Sequence, residues 1–142
     1  MSEVENPFHE SSPAPGPVAG RVLIVEDEPN NQILLQKVLT RMGCEWVCAG
    51  DGDAAIAEVA AGDFALILMD LSLPGLDGWS AIQAIRGSGK MVAIVATSAH
   101  AMLSDKQRAA SLGCNDYITK PFNLGELRRI VEEGSRPRAE MR

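Results

Sequence analysis

Residues 64–69 form an uninterrupted apolar segment, Phe64-Ala65-Leu66-Ile67-Leu68-Met69, that ends in an acid, Asp70. Apolar residues without alternation are typical of a parallel strand that is covered on both faces. A turn follows at Leu73-Pro74-Gly75. A carboxylate at the end of a buried strand is poorly explained by a contribution to stability alone. We therefore interpret Asp70 as part of a functional site.

Two other short segments also deliver charge at their ends. Residues 22–25 are apolar and precede Glu26-Asp27-Glu28, and Lys120-Pro121 follows residues 116–119. In open parallel sheets, ligands bind at the carboxyl ends of the strands. The sequence therefore predicts one pocket for a metal ion and a phosphoryl group.

Strand and helix patterns alternate five times along the chain, which implies a parallel sheet with helices on both faces. The second strand contains Glu45 and the fifth is short and polar, so both are expected at the edges. This predicts an α/β, flavodoxin-like (βα)5 doubly wound sheet with strand order 2-1-3-4-5. The strands are expected at residues 22–25, 44–49, 65–69, 91–96 and 116–119.

Helix boundaries are predicted from capping residues. Pro29 suits the first turn of the first helix, which should end at Gly43. The second helix should begin after Asp51 or Asp53, and the third should cover residues 77–86. Capping boxes are predicted for the last two helices: Ser104 with Gln107, in a helix ending at Gly113, and Asn123 with Glu126.

The composition of the chain argues against some classes of function. The chain has 142 residues, 46% of them hydrophobic and 23% charged, as in an ordinary soluble domain. A net charge of -6 without a basic stripe argues against nucleic-acid binding. No apolar segment approaches the roughly 20 residues of a membrane span, and no signal peptide begins the chain, so we expect a cytoplasmic protein.

The domain is expected at residues 21–133. Residues 1–20 hold four of the eight prolines and should form a disordered tail or linker, and 134–142 a short polar tail. The three cysteines, Cys44, Cys48 and Cys114, fit neither a disulfide framework nor a zinc site. They are expected to be buried, with Cys44, Cys48 and Trp46 on one strand face.

The charged residues suggest a chemistry. Mg²⁺ takes carboxylate oxygens, which Asp27 and Asp70 would supply with Glu26 nearby. Lys120 suits a phosphate oxygen or Asp70, and the hydroxyl of Ser98 could hydrogen-bond a phosphoryl oxygen. Asp70 could then act as a nucleophile and form an aspartyl-phosphate.

These motifs together resemble the response-regulator receiver family. The resemblance covers residues 21–133 in the family's order, and four motifs in sequence make it specific. They are Val22-Leu23-Ile24-Val25-Glu26-Asp27-Glu28-Pro29-Asn30, Leu66-Ile67-Leu68-Met69-Asp70-Leu71-Ser72-Leu73-Pro74-Gly75-Leu76-Asp77-Gly78, Ile94-Val95-Ala96-Thr97-Ser98-Ala99-His100 and Asp116-Tyr117-Ile118-Thr119-Lys120-Pro121-Phe122.

The resemblance implies a role for each matching residue. Asp70 would be the phosphoacceptor, and Glu26 and Asp27 the acidic pair for Mg²⁺ or Mn²⁺. The backbone carbonyl of Ser72 would complete the metal shell.

Three further positions follow from the same resemblance. Ser98 would be the switch hydroxyl, Tyr117 the aromatic residue that reports the switch, and Lys120 the family's lysine. The Lys120-Pro121 bond would be cis. Glu26 and Ser98 replace the more usual aspartate and threonine.

The resemblance implies two kinds of partner: a histidine kinase or histidine phosphotransfer protein, and a protein target that binds the face formed by the fourth helix, the fifth strand and the fifth helix. It implies no cofactor other than the metal, and a monomer or weak dimer. We expect a stand-alone regulator and not a conventional enzyme: at most it catalyses its own phosphorylation and dephosphorylation.

Several alternatives stay open. One is a receiver excised from a hybrid histidine kinase, whose linker the proline-rich segment would suit. A metal-dependent aspartyl-phosphate phosphohydrolase would need a second acid for the leaving group. A flavodoxin-like cofactor binder would need a glycine-rich phosphate loop after the first strand, which is not present. A degenerate receiver is disfavoured because every motif residue is present.

Overall fold

The computed structural model describes residues 20–134, which contain five strands and five helices in strict alternation. In chain order these are β1 (Arg21–Val25), α1 (Pro29–Arg41), β2 (Glu45–Ala49), α2 (Gly52–Ala61), β3 (Leu66–Asp70), α3 (Gly78–Gly87), β4 (Ala93–Ser98), α4 (Leu103–Ser111), β5 (Asp116–Thr119) and α5 (Leu124–Gly134). All the strand pairs are parallel, in the order β2-β1-β3-β4-β5. The predicted fold class and strand order are confirmed.

The sheet is covered on both faces, which explains the unbroken apolar segments. In β3, Ile67 and Met69 pack with α2, α3 and α4, whereas Leu66 and Leu68 pack with α1 and α5. Each of these four side chains is at most 1% exposed. A polar residue in the middle of this strand would therefore be buried whichever way it pointed.

Most predicted helix ends are confirmed. Pro29 opens α1 after Glu28, and α1 gives way to a turn in which Gly43 has a φ of 80°. Asp51, not Asp53, caps α2 and accepts a hydrogen bond from Ala54 N. Asn123 Oδ1 accepts a 2.9 Å bond from Glu126 N at the start of α5, as expected for the residue before this helix.

Two predicted boundaries are wrong. The strand β4 runs two residues later than expected, so Ser98 is its last residue, and Met91 lies outside it with 74% of its surface exposed. The helix α4 begins at Leu103, which places Ser104 inside the helix. The N-cap position is taken by Met102, which makes no side-chain capping bond; its carbonyl oxygen accepts from the amides of Asp105 and Lys106.

The predicted tails lie outside the described residues, except that Gly20 precedes β1 and α5 includes Gly134. None of the helices described is long and apolar enough to cross a membrane.

The three cysteines are free thiols. Cys44 and Cys48 pack with Trp46 on the α1 side of the sheet, as predicted. Burial raises the pKa of Cys44 and Cys48, and it raises the pKa of Cys114 to about 12. Cys48 is only partly buried.

Candidate functional site at the carboxyl ends of the strands

Three acidic side chains meet where β1 and β3 end. One carboxylate oxygen each from Glu26, Asp27 and Asp70 lies within 4.8 Å of the other two. Glu26 and Asp70 are 1% exposed, whereas Asp27 is exposed to solvent. The strand pairing of β1 with β3 produces this arrangement, because Val25 lies opposite Met69 and each is followed by its acid.

Lys120 reaches this cluster from the end of β5. Its Nζ lies 3.0 Å from Glu26 Oε1 and 3.2 Å from Asp70 Oδ2, and its side chain is 18% exposed. The Lys120-Pro121 peptide bond is cis, as the resemblance implied. The structure therefore brings together the four charged residues predicted to share a pocket.

Burial and the contact between Glu26 and Lys120 shift the pKa values of these two residues in opposite directions. Burial raises the pKa of Glu26 above its ordinary value, although the hydrogen bond from Lys120 offsets part of the increase. Burial would lower the pKa of Lys120, but the hydrogen bond to Glu26 and the charge of Asp70 outweigh it and raise that pKa. The lysine is therefore a stable positive charge at this site.

The loop after β3 contacts Asp70 through its backbone. The amide of Ser72 donates a 2.9 Å hydrogen bond to Asp70 Oδ1. Helix α3 begins immediately above, and a Cβ at Gly78 would overlap the carbonyl of Asp70 and lie 2.6 Å from the Cα of Leu71. Only glycine permits this approach of helix to strand end.

Ser98 and Tyr117 lie on the neighbouring strands β4 and β5, and both contact His100. The amide of His100 donates to Ser98 Oγ at 3.0 Å, and the hydroxyl of Tyr117 donates to the carbonyl of His100 at 2.8 Å. Ser98 is 3% and Tyr117 4% exposed. The tyrosine ring is thus buried beside the loop between β4 and α4, and burial raises the pKa of its hydroxyl.

The residues present fit a hard divalent cation. Three carboxylates face one ammonium group, which leaves an excess of negative charge for a metal to neutralise. Glu26 Oε1 is buried, and its polar contact within residues 20–134 is the ammonium group of Lys120 at 3.0 Å. The metal-binding role of the Ser72 carbonyl stays a prediction.

Two polar side chains at this edge were not predicted from the sequence. The side-chain nitrogen of Asn31, Nδ2, lies 3.4 Å from Glu26 Oε2. The side-chain nitrogen of Gln32, Nε2, donates to the backbone carbonyl of Glu26 at 2.6 Å. Amide side chains in the first turn of a helix are common, so their type gave no signal. The one signal in the sequence was their position, five and six residues after Glu26.

Comparison with known proteins agrees with this geometry. A family model described as the response regulator receiver domain matches residues 22–132. The chain is 41% identical over 118 residues to the sensor protein GacS of Pseudomonas syringae pv. syringae, covering 80% of this chain and 13% of GacS. It is 36% identical over 128 residues to the transcriptional regulatory protein TcrA of Mycobacterium tuberculosis, covering 87% of this chain and 51% of TcrA. The chain thus spans about half or less of these relatives.

Two solved structures of similar sequence share the fold. The receiver domain of the sensor histidine kinase PA1611 from Pseudomonas aeruginosa PAO1, which holds a magnesium ion in its active site cleft, is 37% identical with a TM-score of 0.73 over 80% of this chain and 94% of its own. The co-crystal structure of the phosphotransfer protein Ypd1 and the receiver domain of Ssk1 from Saccharomyces cerevisiae also contains a similar chain. The identity is 37% and the TM-score 0.76, over 83% of this chain and 90% of that one. With its fold, its acidic strand ends and these matches in agreement, the chain belongs to the response regulator receiver family.

Proposed function

We propose that this receiver accepts a phosphoryl group on Asp70 from a phosphohistidine and acts as a signalling switch or phosphorelay intermediate. The observation that carries the proposal is the buried Asp70 carboxylate, within 4.8 Å of two further acids and 3.2 Å from Lys120. A carboxylate that is already ionised needs no base to act as a nucleophile. In the transfer, the bond from phosphorus to the histidine nitrogen breaks and a bond from phosphorus to an Asp70 oxygen forms.

The residues around Asp70 have separate roles in this proposal. Asp27 and Asp70 hold Mg²⁺, with Glu26 beside them and the carbonyl of Ser72 completing the shell. When bound, the metal neutralises charge on the transferred group. Lys120 adds a second positive charge at 3.2 Å from Asp70 Oδ2, where it favours a dianionic phosphoryl group.

Ser98 and Tyr117 form the switch. Ser98 is the last residue of β4, next to Thr97, which pairs with Asp70 across the sheet. We propose that Ser98 turns its hydroxyl toward the phosphoryl oxygens. Because His100 bonds to both hydroxyls, the change reaches Tyr117 and the face formed by α4, β5 and α5.

A histidine kinase or a phosphotransfer protein is the proposed donor. The structure of Ssk1 with the phosphotransfer protein Ypd1 supports a partner of this kind, because its receiver domain has the fold of this chain. The output is proposed to be a protein target that binds the α4-β5-α5 face. Family membership favours this cytoplasmic signalling role over the phosphohydrolase and the flavodoxin-like cofactor binder.

A second candidate is a receiver that functions inside a longer sensor kinase. The 41% identity with GacS, of which this chain covers 13%, favours it. The mass of the protein detected by antibody in its cell of origin distinguishes the two. A band near 15.2 kDa supports the stand-alone regulator, and a much larger band supports the hybrid kinase.

Phosphorylation of Asp70 is tested with acetyl phosphate and Mg²⁺. The chain should gain a phosphate that hydroxylamine releases, as expected for an acyl phosphate, and Asp70→Asn should gain none because an amide is not a nucleophile here. Intact-mass spectrometry measures the gain.

Asp77→Asn provides the matched control. Asp77 caps α3 through its Oδ1, a bond that asparagine can also accept, and it lies seven residues after Asp70. Its label should equal that of the unsubstituted chain. Undiminished label in Asp70→Asn would contradict the assignment.

A further inference from the structure

Asp27 is the exposed member of the acidic cluster, and its side chain has no support of its own. Within residues 20–134 its carboxylate takes part in no hydrogen bond or ion pair. Its partners in the cluster are held: Ser72 donates to Asp70, and Lys120 contacts Glu26. The position of Asp27 therefore depends on its backbone.

The peptide group between Glu26 and Asp27 fixes that backbone. Its carbonyl oxygen accepts a 2.6 Å hydrogen bond from Gln32 Nε2, which reaches back from the first turns of α1. The peptide is planar, so holding this oxygen also fixes the direction in which the chain enters Asp27. Gln32 is partly buried, which limits competition from water for the bond.

The rest of Glu26 is held as well. Its amide donates to the carbonyl of Ala49 at 3.1 Å, and its Oε2 accepts from the amide of Glu28 at 3.1 Å. The start of the loop is therefore fixed on the β2 side by the sheet and on the α1 side by Gln32. Without Gln32, the peptide that carries Asp27 would lose the side-chain donor on its oxygen.

We propose that Gln32 is a positioning residue that orients Asp27 for the divalent cation. The inference rests on the proposed function, in which Asp27 is a metal ligand. Groups behind a metal ligand commonly set its orientation, and their loss weakens metal binding. Gln32 acts through the backbone of the ligand loop and does not touch the metal.

The test is a magnesium titration of the full chain carrying Gln32→Met. Methionine keeps the length and apolar packing of glutamine and has no donor. We expect the Mg²⁺ dissociation constant, measured by calorimetry with MgCl₂, to rise about two- to tenfold, the effect of one lost hydrogen bond. The melting temperature in the presence of chelator should change little.

Gln36→Met is the matched control. Gln36 lies one turn further along α1, is also partly buried, and bonds to Cys48 instead of the acidic loop. It should bind Mg²⁺ as the unsubstituted chain does. A purely structural role for these glutamines would lower both melting temperatures and leave both dissociation constants unchanged.

The outcomes separate this inference from the proposed function. An unsubstituted chain that fails to bind Mg²⁺ contradicts the metal site itself. If that chain binds Mg²⁺ and Gln32→Met binds it equally well, only the role of Gln32 is overturned. Gln32→Leu, a second residue without a donor, must weaken binding in the same direction, and unchanged binding there also overturns the role.

Discussion

Two buried carboxylates, those of Glu26 and Asp70, share the single positive charge of Lys120. Burying a charge is costly unless it is paired, and removing one member of a buried pair commonly costs more than the pair contributes. Lys120 thus allows an acidic cluster to exist before a metal arrives. In the proposed reaction the same charge would be available to a phosphoryl group, because 18% of the side chain is still exposed.

Asp116 provides a pH dependence at the residue scale. Burial raises its pKa to about 6, although the amide of Tyr117 donates to it at 2.8 Å and Arg129 lies 3.9 Å away. The nearby charges of α5 are Arg129, Glu126 and Glu133. Because the folded pKa exceeds the unfolded value, the folded chain binds more protons between these two values. The contribution of Asp116 to stability should therefore rise as the pH falls from about 6 toward 3.8.

Asp116→Asn should abolish this contribution while keeping an acceptor for the Tyr117 amide. Between pH 7 and pH 4 the unsubstituted chain should gain about 2 kcal/mol of unfolding free energy relative to the variant. Urea denaturation at each pH measures the difference. Parallel pH curves for the two proteins would show that burial does not shift Asp116.

The sequence identified the charged site residues but not the groups that hold them. Asp70, Asp27 and Lys120 were found because charge directly after a strand pattern is unusual. Gln32 was not found, since its partner is a backbone oxygen that no residue type encodes. The bond from Tyr117 to the backbone of His100 was missed for the same reason.

At the scale of elements, α4 is the least buried helix in the described part of the chain. Ala109 is its one buried residue, whereas each of the other four helices buries three or four. The guanidinium of Arg108 lies 4.0 Å from the ring centre of Trp79 on α3. We therefore expect this cation-π contact to contribute much of what holds α4 in place.

Arg108→Met should weaken α4 while keeping an apolar side chain over the tryptophan ring. Loss of an exposed cation-π contact costs about 0.5–1 kcal/mol. Amide exchange in α4 should therefore accelerate about two- to fivefold, measured residue by residue with NMR. Exchange in β3 should stay unchanged.

Arg128→Met, at an exposed arginine of α5, is the control for loss of one positive charge. Its α4 exchange should match that of the unsubstituted chain. Equal acceleration in both variants would mean that charge, and not the contact with Trp79, is responsible.

The elements themselves were predictable and some of their ends were not. The three inner strands β1, β3 and β4 were found because burial of both faces leaves an unbroken apolar segment. The strand β4 was placed two residues early because Met91 is apolar although exposed, whereas Thr97 and Ser98 are polar although paired in the sheet. The hydrophobicity of a residue does not indicate whether its backbone forms the hydrogen bonds of the sheet.

At the scale of the whole molecule, the sheet places the three acids of the candidate site at one end. Parallel strands β1 and β3 end at the same edge, and β5 delivers Lys120 there. The predicted order of strands is sufficient to bring residues 26, 70 and 120 together, although they are far apart in sequence. The distances themselves could not be predicted, since they depend on the loop contacts of Glu26 and Asp70.

Mg²⁺ should stabilise the entire fold, because a ligand that binds only the folded chain adds to its unfolding free energy. At ten times its dissociation constant the gain is about 1.4 kcal/mol. Thermal unfolding with MgCl₂ and with chelator measures this gain, and Asp27→Asn should reduce it. Identical melting curves for the unsubstituted chain in both buffers would contradict a metal-binding pocket.

Ser98 and Tyr117, the residues of the proposed switch, both bond to the main chain of His100 and not to its imidazole. The N–H of His100 donates to Ser98 Oγ, and the C=O of His100 accepts from the Tyr117 hydroxyl, so in the proposed switch a rotation of Ser98 would release one bond of the residue that Tyr117 contacts. His100 is exposed, and its imidazole takes part in neither of these two bonds. What this position requires is an amide hydrogen, and proline is the one amino acid that lacks it.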